Sequence, residues 1–141
     1  TSYPRHTLEA ALGYDFPEVT IRIDGGLARR LSMTMISLHN GRFFGGGMKM
    51  APEASLTDGE LDTVVVRKMP LTKLMGRFPL LFWGAHLGLE EIEHGRVRAL
   101  EAEAVDSRLL VPIEVDGESP GSLPARFDVS SSALALRLAS C

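Results

Sequence analysis

Asn40-Gly41-Arg42-Phe43-Phe44-Gly45-Gly46-Gly47-Met48, then Ala51-Pro52-Glu53-Ala54, then Ser55-Leu56-Thr57-Asp58-Gly59-Glu60-Leu61-Asp62: this stretch organises the reading of the whole chain. It holds five of the fourteen glycines and, near Asp58, three carboxylates. A glycine inside a strand or helix costs roughly 0.5–1 kcal/mol against alanine, so three in succession mark backbone that bends or is approached closely. Residues 40–50 are read as a bent third strand. Asp58-Gly59 is read as a turn into the next one.

Working outward, residues 61–68 are dense in β-branched side chains, which favour a strand. Upstream, residues 19–24 and 31–38 alternate apolar and polar, the period of half-buried strands, with Gly25-Gly26 as the turn between them. Residues 8–14 suit a short helix with Thr7 as its N-cap. Downstream of Pro70 the period changes. Leu71, Leu74, Met75, Phe78 and Phe82 recur at three- and four-residue steps, an amphipathic helix that Pro79 should kink or split. Residues 96–104 suit helix or strand, and their neighbours favour strand. Residues 109–115 form a strand, with Pro112 indicating an edge or bulge. Asp116-Gly117 is a hairpin-turn signal, and residues 125–129 and 134–138 complete the set. The fold class is mainly β: an antiparallel β-sandwich with one or two short helices.

With 141 residues, 45% of them hydrophobic, the chain suits one domain with a real core. Its net charge of −3 offers no electrostatic reason to expect a nucleic-acid partner. The single cysteine, Cys141, excludes a disulfide framework and a Cys-based zinc site, and favours a reducing compartment. No apolar run reaches the ~18–20 residues that span a bilayer. The chain begins at Thr1, with no initiator methionine and no signal-peptide pattern, and is read as a piece of a longer protein. In that reading residues 1–16 are a linker or short helix from a preceding domain, and 17–141 are the sandwich.

The glycine stretch, the Asp58-Gly59-Glu60-Leu61-Asp62 turn, Gly84-Ala85-His86-Leu87-Gly88 and Asp116-Gly117-Glu118 stand in an order and spacing that resembles the C-terminal domain of the diacylglycerol kinase and sphingosine kinase family of bacterial-type lipid kinases. The resemblance covers roughly residues 17 to 138. It implies a β-sandwich similar to that of NAD kinases, whose partner is an N-terminal nucleotide-binding domain. ATP and a lipid hydroxyl meet in the cleft between the two. This sequence has no Gly-Gly-Asp-Gly nucleotide loop, so the isolated chain is expected to be inactive.

The resemblance also implies roles for particular residues. Glu118 becomes a candidate proton acceptor, with Asp116 as helper or rival; in some family members the same segment is described as touching nucleotide. As a dipeptide alone, Asp116-Gly117 is most often a plain hairpin turn. Ser55 (carbonyl), Asp58 (carboxylate) and Glu60 (carbonyl) become candidate Mg2+ ligands, a set of hard oxygen donors suited to a hard cation. The family often has an acidic residue where Thr57 stands. Asn40, Arg42, Gly45, Gly46, Gly47 and Gly117 become candidates for the cleft wall, as does His86, although a lone histidine is more often structural. The 71–82 helix, with Phe78, Phe82, Trp83, Lys73 and Arg77, either touches a membrane surface or packs on the sandwich. A homodimer through an exposed interdomain surface is left open, and the expected location is cytoplasmic, at most peripheral to the inner membrane. The competing reading is a stand-alone, non-catalytic β-sandwich that binds a lipid or a protein. A glycine-rich nucleotide domain encoded upstream of Thr1 discriminates the two.

Overall fold

The computed structural model describes residues 16–43 and 47–131. The expected helix over 8–14 and strand over 134–138 lie outside them, as do Gly45 and Gly46. The described elements are eight strands, two short helices and a 3-10 turn: β1 (Glu18–Ile23), β2 (Arg29–His39), β3 (Leu61–Arg67), α1 (Leu71–Arg77), α2 (Leu80–Trp83), the 3-10 turn Ala85–Gly88, β4 (Ile92–Val97), β5 (Ala99–Ala104), β6 (Pro112–Val115), β7 (Glu118–Ser122) and β8 (Ala125–Asp128). The chain is mainly β and its strand pairs are antiparallel.

Six strands form one sheet in the order β4-β3-β2-β1-β5-β8, and β6 and β7 form a second. The long strand β2 joins two leaves. Its first part pairs with β1 (Val19 opposite Leu31) and its second with β3 (His39 opposite Asp62). The register shifts between Met33 and Met35, and Thr34 occupies the irregularity. Its hydroxyl donates to the Arg67 carbonyl (3.0 Å) and accepts from the Met69 amide (3.2 Å). A bulge of this kind bends a strand and lets it serve two leaves. One core lies between the leaves: Val19 and Ile21 of β1, Met33, Val97, and Leu100 and Ala102 of β5 are buried together, with Leu61 and Phe127 against them.

Several boundaries differ from the sequence reading. Residues 40–43 and 47–50 are not a bent third strand: β2 ends at His39, Gly41 and Arg42 lie in a bend, and Met48 makes an isolated bridge. The region expected as one strand over 96–104 belongs to two strands with different partners, broken at Arg98. Asp24 explains the break, because its Oδ1 accepts from the amides of both Arg98 and Ala99 at 2.8 Å. These bonds hold the Asp24 carboxyl below its usual range. The turn after β1 is centred on Asp24-Gly25, one residue earlier than Gly25-Gly26. Both central residues have positive φ (49° and 71°), and the Gly26 amide bonds the Ile23 carbonyl at 2.8 Å. Strand β6 begins at Pro112, later than Leu109, with the proline at its first position.

The expected helix is split at Pro79. The Pro70 carbonyl starts α1 by accepting from Lys73 (2.9 Å) and Leu74 (3.0 Å), and the Pro79 carbonyl accepts from Phe82 (3.2 Å) in α2. A proline in helix interior removes one amide donor, so the helix restarts there and forms an elbow.

Candidate functional site

The described residues of the loop between β2 and β3, 40–43 and 47–60, are held from several sides. Asn40 is exposed at the end of β2. Arg42 donates from Nε to the Ala54 carbonyl at 3.0 Å and so spans the loop's base. Met50, Ala51 and Ala54 are buried. Beneath them, His86 is 1% exposed, and its Nε2 lies 2.9 Å from the Met50 carbonyl. A carbonyl only accepts, so Nε2 carries the proton and donates. Burial pushes the His86 imidazole below its ordinary value, and the Met50 carbonyl partly opposes that shift. His86 therefore lies under the loop as its anchor, not on an open wall. Gly47 is exposed with φ of 99°.

The loop ends in the acidic turn. Asp58 Oδ1 accepts from the Glu60 amide at 3.0 Å, closing an Asx-type turn, and Gly59 within it has φ of 71°. The Ser55 hydroxyl lies 3.4 Å from the Thr57 amide. Asp58 is exposed, while Ser55 and Glu60 are half-buried. The Ser55 and Glu60 carbonyls and the Asp58 carboxylate are all hard oxygen donors, a chemistry that fits Mg2+ or Ca2+. Among the described residues no group of three or more His, Cys, Asp or Glu is arranged to hold a metal ion. A cation at this turn would thus depend on backbone carbonyls and water around a single carboxylate.

Residues to which the sequence assigned no role hold this turn in place. Asp62 is buried on β3, with the Arg96 guanidinium 3.7 Å from its Oδ1. Arg96 also reaches the Glu53 carbonyl at 3.3 Å, and Arg98 stands 3.7 Å from the Glu60 carboxylate. Burial raises the Asp62 carboxyl, Arg96 opposes, and the charges of Asp58 and Glu53 add to the rise. A signal for Asp62 was present: it shares a strand face with Val64 and Val66, so a carboxylate occupies an apolar position. Arg96 and Arg98 had no comparable signal, because their partners are set by strand pairing.

The second acidic tip stands apart. Asp116 (φ 50°) and Gly117 (φ 85°) form the two-residue turn between β6 and β7, as a type I′ hairpin requires. Asp116, Gly117 and Glu118 are all exposed. Strands β6 and β7 pair with each other and lie outside the six-stranded sheet. The structure thus gathers Arg42, Ser55, Asp58, Glu60 and His86 around one loop and sets Asp116–Glu118 on a separate hairpin. An open depression of about 340 Å³, lined by Thr20, Arg22, Glu101 and Glu103 among others, includes none of the sequence-predicted residues.

The model of the YegS C-terminal NAD kinase beta sandwich-like domain matches residues 1–138. The chain is 30% identical over 112 residues to a diacylglycerol kinase of Mycobacterium tuberculosis (strain ATCC 25618 / H37Rv), a match covering 79% of this chain and 35% of the relative. It is 27% identical over 111 residues to a diacylglycerol kinase of Bacillus subtilis (strain 168), covering 78% of this chain and 35% of the relative. It spans about a third of the length of these curated relatives. A crystal structure of a diacylglycerol kinase from Bacillus anthracis str. Sterne superposes with a TM-score of 0.66 at 19% identity, over 89% of this chain and 42% of that one, a likeness of fold.

Proposed function

The chain belongs to the family of YegS C-terminal NAD kinase beta sandwich-like domains, the C-terminal domain of diacylglycerol kinase-like lipid kinases, and from that premise we propose that it is the lipid-acceptor side of an ATP-dependent lipid kinase. The whole enzyme would phosphorylate a lipid hydroxyl such as that of diacylglycerol or sphingosine. The observation that carries this reading is the pair of acidic turns, Asp58-Gly59-Glu60 with its Asp58 exposed and Asp116-Gly117-Glu118 exposed throughout, on a scaffold of that family.

Phosphoryl transfer needs a positioned hydroxyl, a proton acceptor and cations against the phosphate charge. In this reading Glu118 accepts the hydroxyl proton, and Asp116 orients it or substitutes for it. The Asp58 carboxylate with the Ser55 and Glu60 carbonyls would hold Mg2+, whose chemistry is to neutralise phosphate charge. Asn40, Arg42 and Gly47 would belong to the near wall of the cleft, as would Gly45 and Gly46, which lie outside the described residues, with Gly117 at the hairpin tip. His86 supports that wall from beneath through Met50. An N-terminal nucleotide-binding domain supplies the ATP site, so the 141-residue chain alone has no turnover.

The test is a phosphorylation assay with ATP and a panel of diacylglycerol, sphingosine and ceramide. It is run on the isolated chain and on the full open reading frame that contains it. The expected result is turnover from the full frame alone, reduced about 10²–10⁴-fold by Glu118→Gln. No turnover from a full frame that carries a nucleotide domain would sink the kinase reading. Unchanged turnover in both Glu118→Gln and Asp116→Asn would remove the catalytic assignment.

A further inference from the structure

Between Thr63 and Leu89 the sequence contains no aspartate or glutamate, although the whole chain has eighteen. The same segment carries Arg67, Lys68, Lys73 and Arg77. The fold places this charge at one end of the sheet, beside the helical elbow. Glu91 is paired with both Lys73 and Arg77, the latter at 2.6 Å. Glu93 is paired with both Arg29, at 2.7 Å, and Arg67. Each carboxylate thus faces two cations. With Lys68 added and the adjacent Glu90 subtracted, five cations stand against three carboxylates, in a chain whose net charge is −3.

The elbow beside this positive patch is apolar and open. Met75 is 66% exposed, Phe78 48%, Phe82 45% and Trp83 75%. Residues 75, 78 and 82 follow helical spacing, and the Phe78 and Phe82 rings meet edge to face with centroids 6.1 Å apart. A short amphipathic element with aromatic residues on one side and surplus cations beside it has the composition of an interfacial membrane anchor. The cations select among occupants: a leaflet of anionic lipid complements them, whereas a second copy docking through the same elbow about a two-fold axis would bring like charge against like.

We propose that the α1–α2 elbow docks on an anionic lipid bilayer. Met75, Phe78, Phe82 and Trp83 enter the headgroup–acyl boundary, and Lys68, Lys73 and Arg77 face the headgroups. The elbow is coupled to the candidate site. Gly84, which ends α2, sits so close to the loop that a Cβ there would stand 3.1 Å from Pro52 Cγ, and His86 two residues later holds Met50. Docking would therefore bring the loop residues around Met50 and Pro52 near the membrane surface. The proposal gives the lipid-kinase reading its partner surface, and its measurement does not depend on catalysis.

Trp83 is the sole tryptophan, so the unaltered chain reports on its own docking. The experiment titrates the 141-residue chain with vesicles of phosphatidylglycerol and of phosphatidylcholine, following tryptophan emission and co-sedimentation. The expected result is a blue shift and pelleting with phosphatidylglycerol, both weakened by salt, and little of either with phosphatidylcholine. The double variant Phe78→Ser/Phe82→Ser lowers partitioning at least about tenfold, and Lys68→Glu weakens phosphatidylglycerol binding while leaving the far-UV circular dichroism unchanged. Absence of a shift with phosphatidylglycerol overturns the proposal. So does a shift that grows with protein concentration without lipid, which would assign the face to a second copy. If vesicles bind as expected but the full reading frame phosphorylates no lipid, the docking surface stands and the kinase reading falls.

Discussion

The two acidic turns differ in what holds them. Asp58-Gly59-Glu60 belongs to a loop fastened at several described points: Arg42 to Ala54, His86 to Met50, Arg96 to Glu53 and Asp62, Arg98 to Glu60. Asp116-Gly117-Glu118 sits on a hairpin shaped by its own positive-φ turn and by pairing of β6 with β7. The first turn inherits its geometry from the core, and the second from a dipeptide. A two-stranded hairpin is marginal by itself in water. The contrast teaches that one acidic turn is pre-organised by this domain, while the position of the other is open to influence from whatever packs beside it.

The contrast is open to direct attack. The largest effect belongs to His86→Ala, which removes a fully buried ring and leaves the Met50 carbonyl without its donor. A loss of about 3 kcal/mol in urea unfolding is expected, whereas Glu118→Gln on the hairpin stays within about 0.5 kcal/mol. Equal costs at the two sites would erase the distinction. A smaller comparison sets Gly59→Ala against Gly117→Ala. Both glycines have positive φ (71° and 85°), but a Cβ at Gly59 would meet Ser131 Oγ at 2.8 Å, and one at Gly117 meets nothing within 4 Å. Gly59→Ala is expected to cost about 1–2 kcal/mol and Gly117→Ala about 1 kcal/mol. Backbone amide exchange should rise around the clasped loop in the first and within the hairpin in the second.

The smallest and most graded effect is on pH dependence. Burial holds His39 and His86 below their ordinary value, so the unfolded chain takes up protons first. Their contribution to stability is present above about pH 6.5 and is lost as pH falls through the lowered folded values. Glu91, bonded first by Lys73 and also by Arg77, is lowered from 4.5 to about 2. Its contribution is present above pH 4.5 and fades as pH falls toward 2. Thermal melts should therefore decline in two stages on acidification, the upper one flattened by His86→Gln and the lower one by Glu91→Gln.

The strands were legible because their cause is local. Alternation in residues 19–24, β-branched density in 61–67 and the proline in 71–83 each act within a few residues, and β1, β3 and the split helix follow. The Asp116-Gly117 turn was equally legible, since a type I′ hairpin asks for that dipeptide. Where local cues competed, the reading went astray. Three glycines suggested a bent strand, but the described parts of that segment are loop, because the sheet edge that a third strand would extend belongs to β3 after β2 changes leaf. The break at Arg98 depends on a carboxylate 74 residues earlier in the chain.

The sequence by itself determined that this chain is an antiparallel β domain with a proline-broken helix and two glycine-containing acidic turns, because periodicity and turn chemistry are short-range. The tertiary structure alone decided that His86 lies beneath the loop and not on its face, that Asp62 shares Arg96 with the Glu53 carbonyl, and that Lys73 and Arg77 converge on Glu91 beside an exposed aromatic elbow. Those facts are partnerships between residues brought together by strand register and burial. Neither register nor burial is encoded at any one position, so they appear once the sheet has closed on its core.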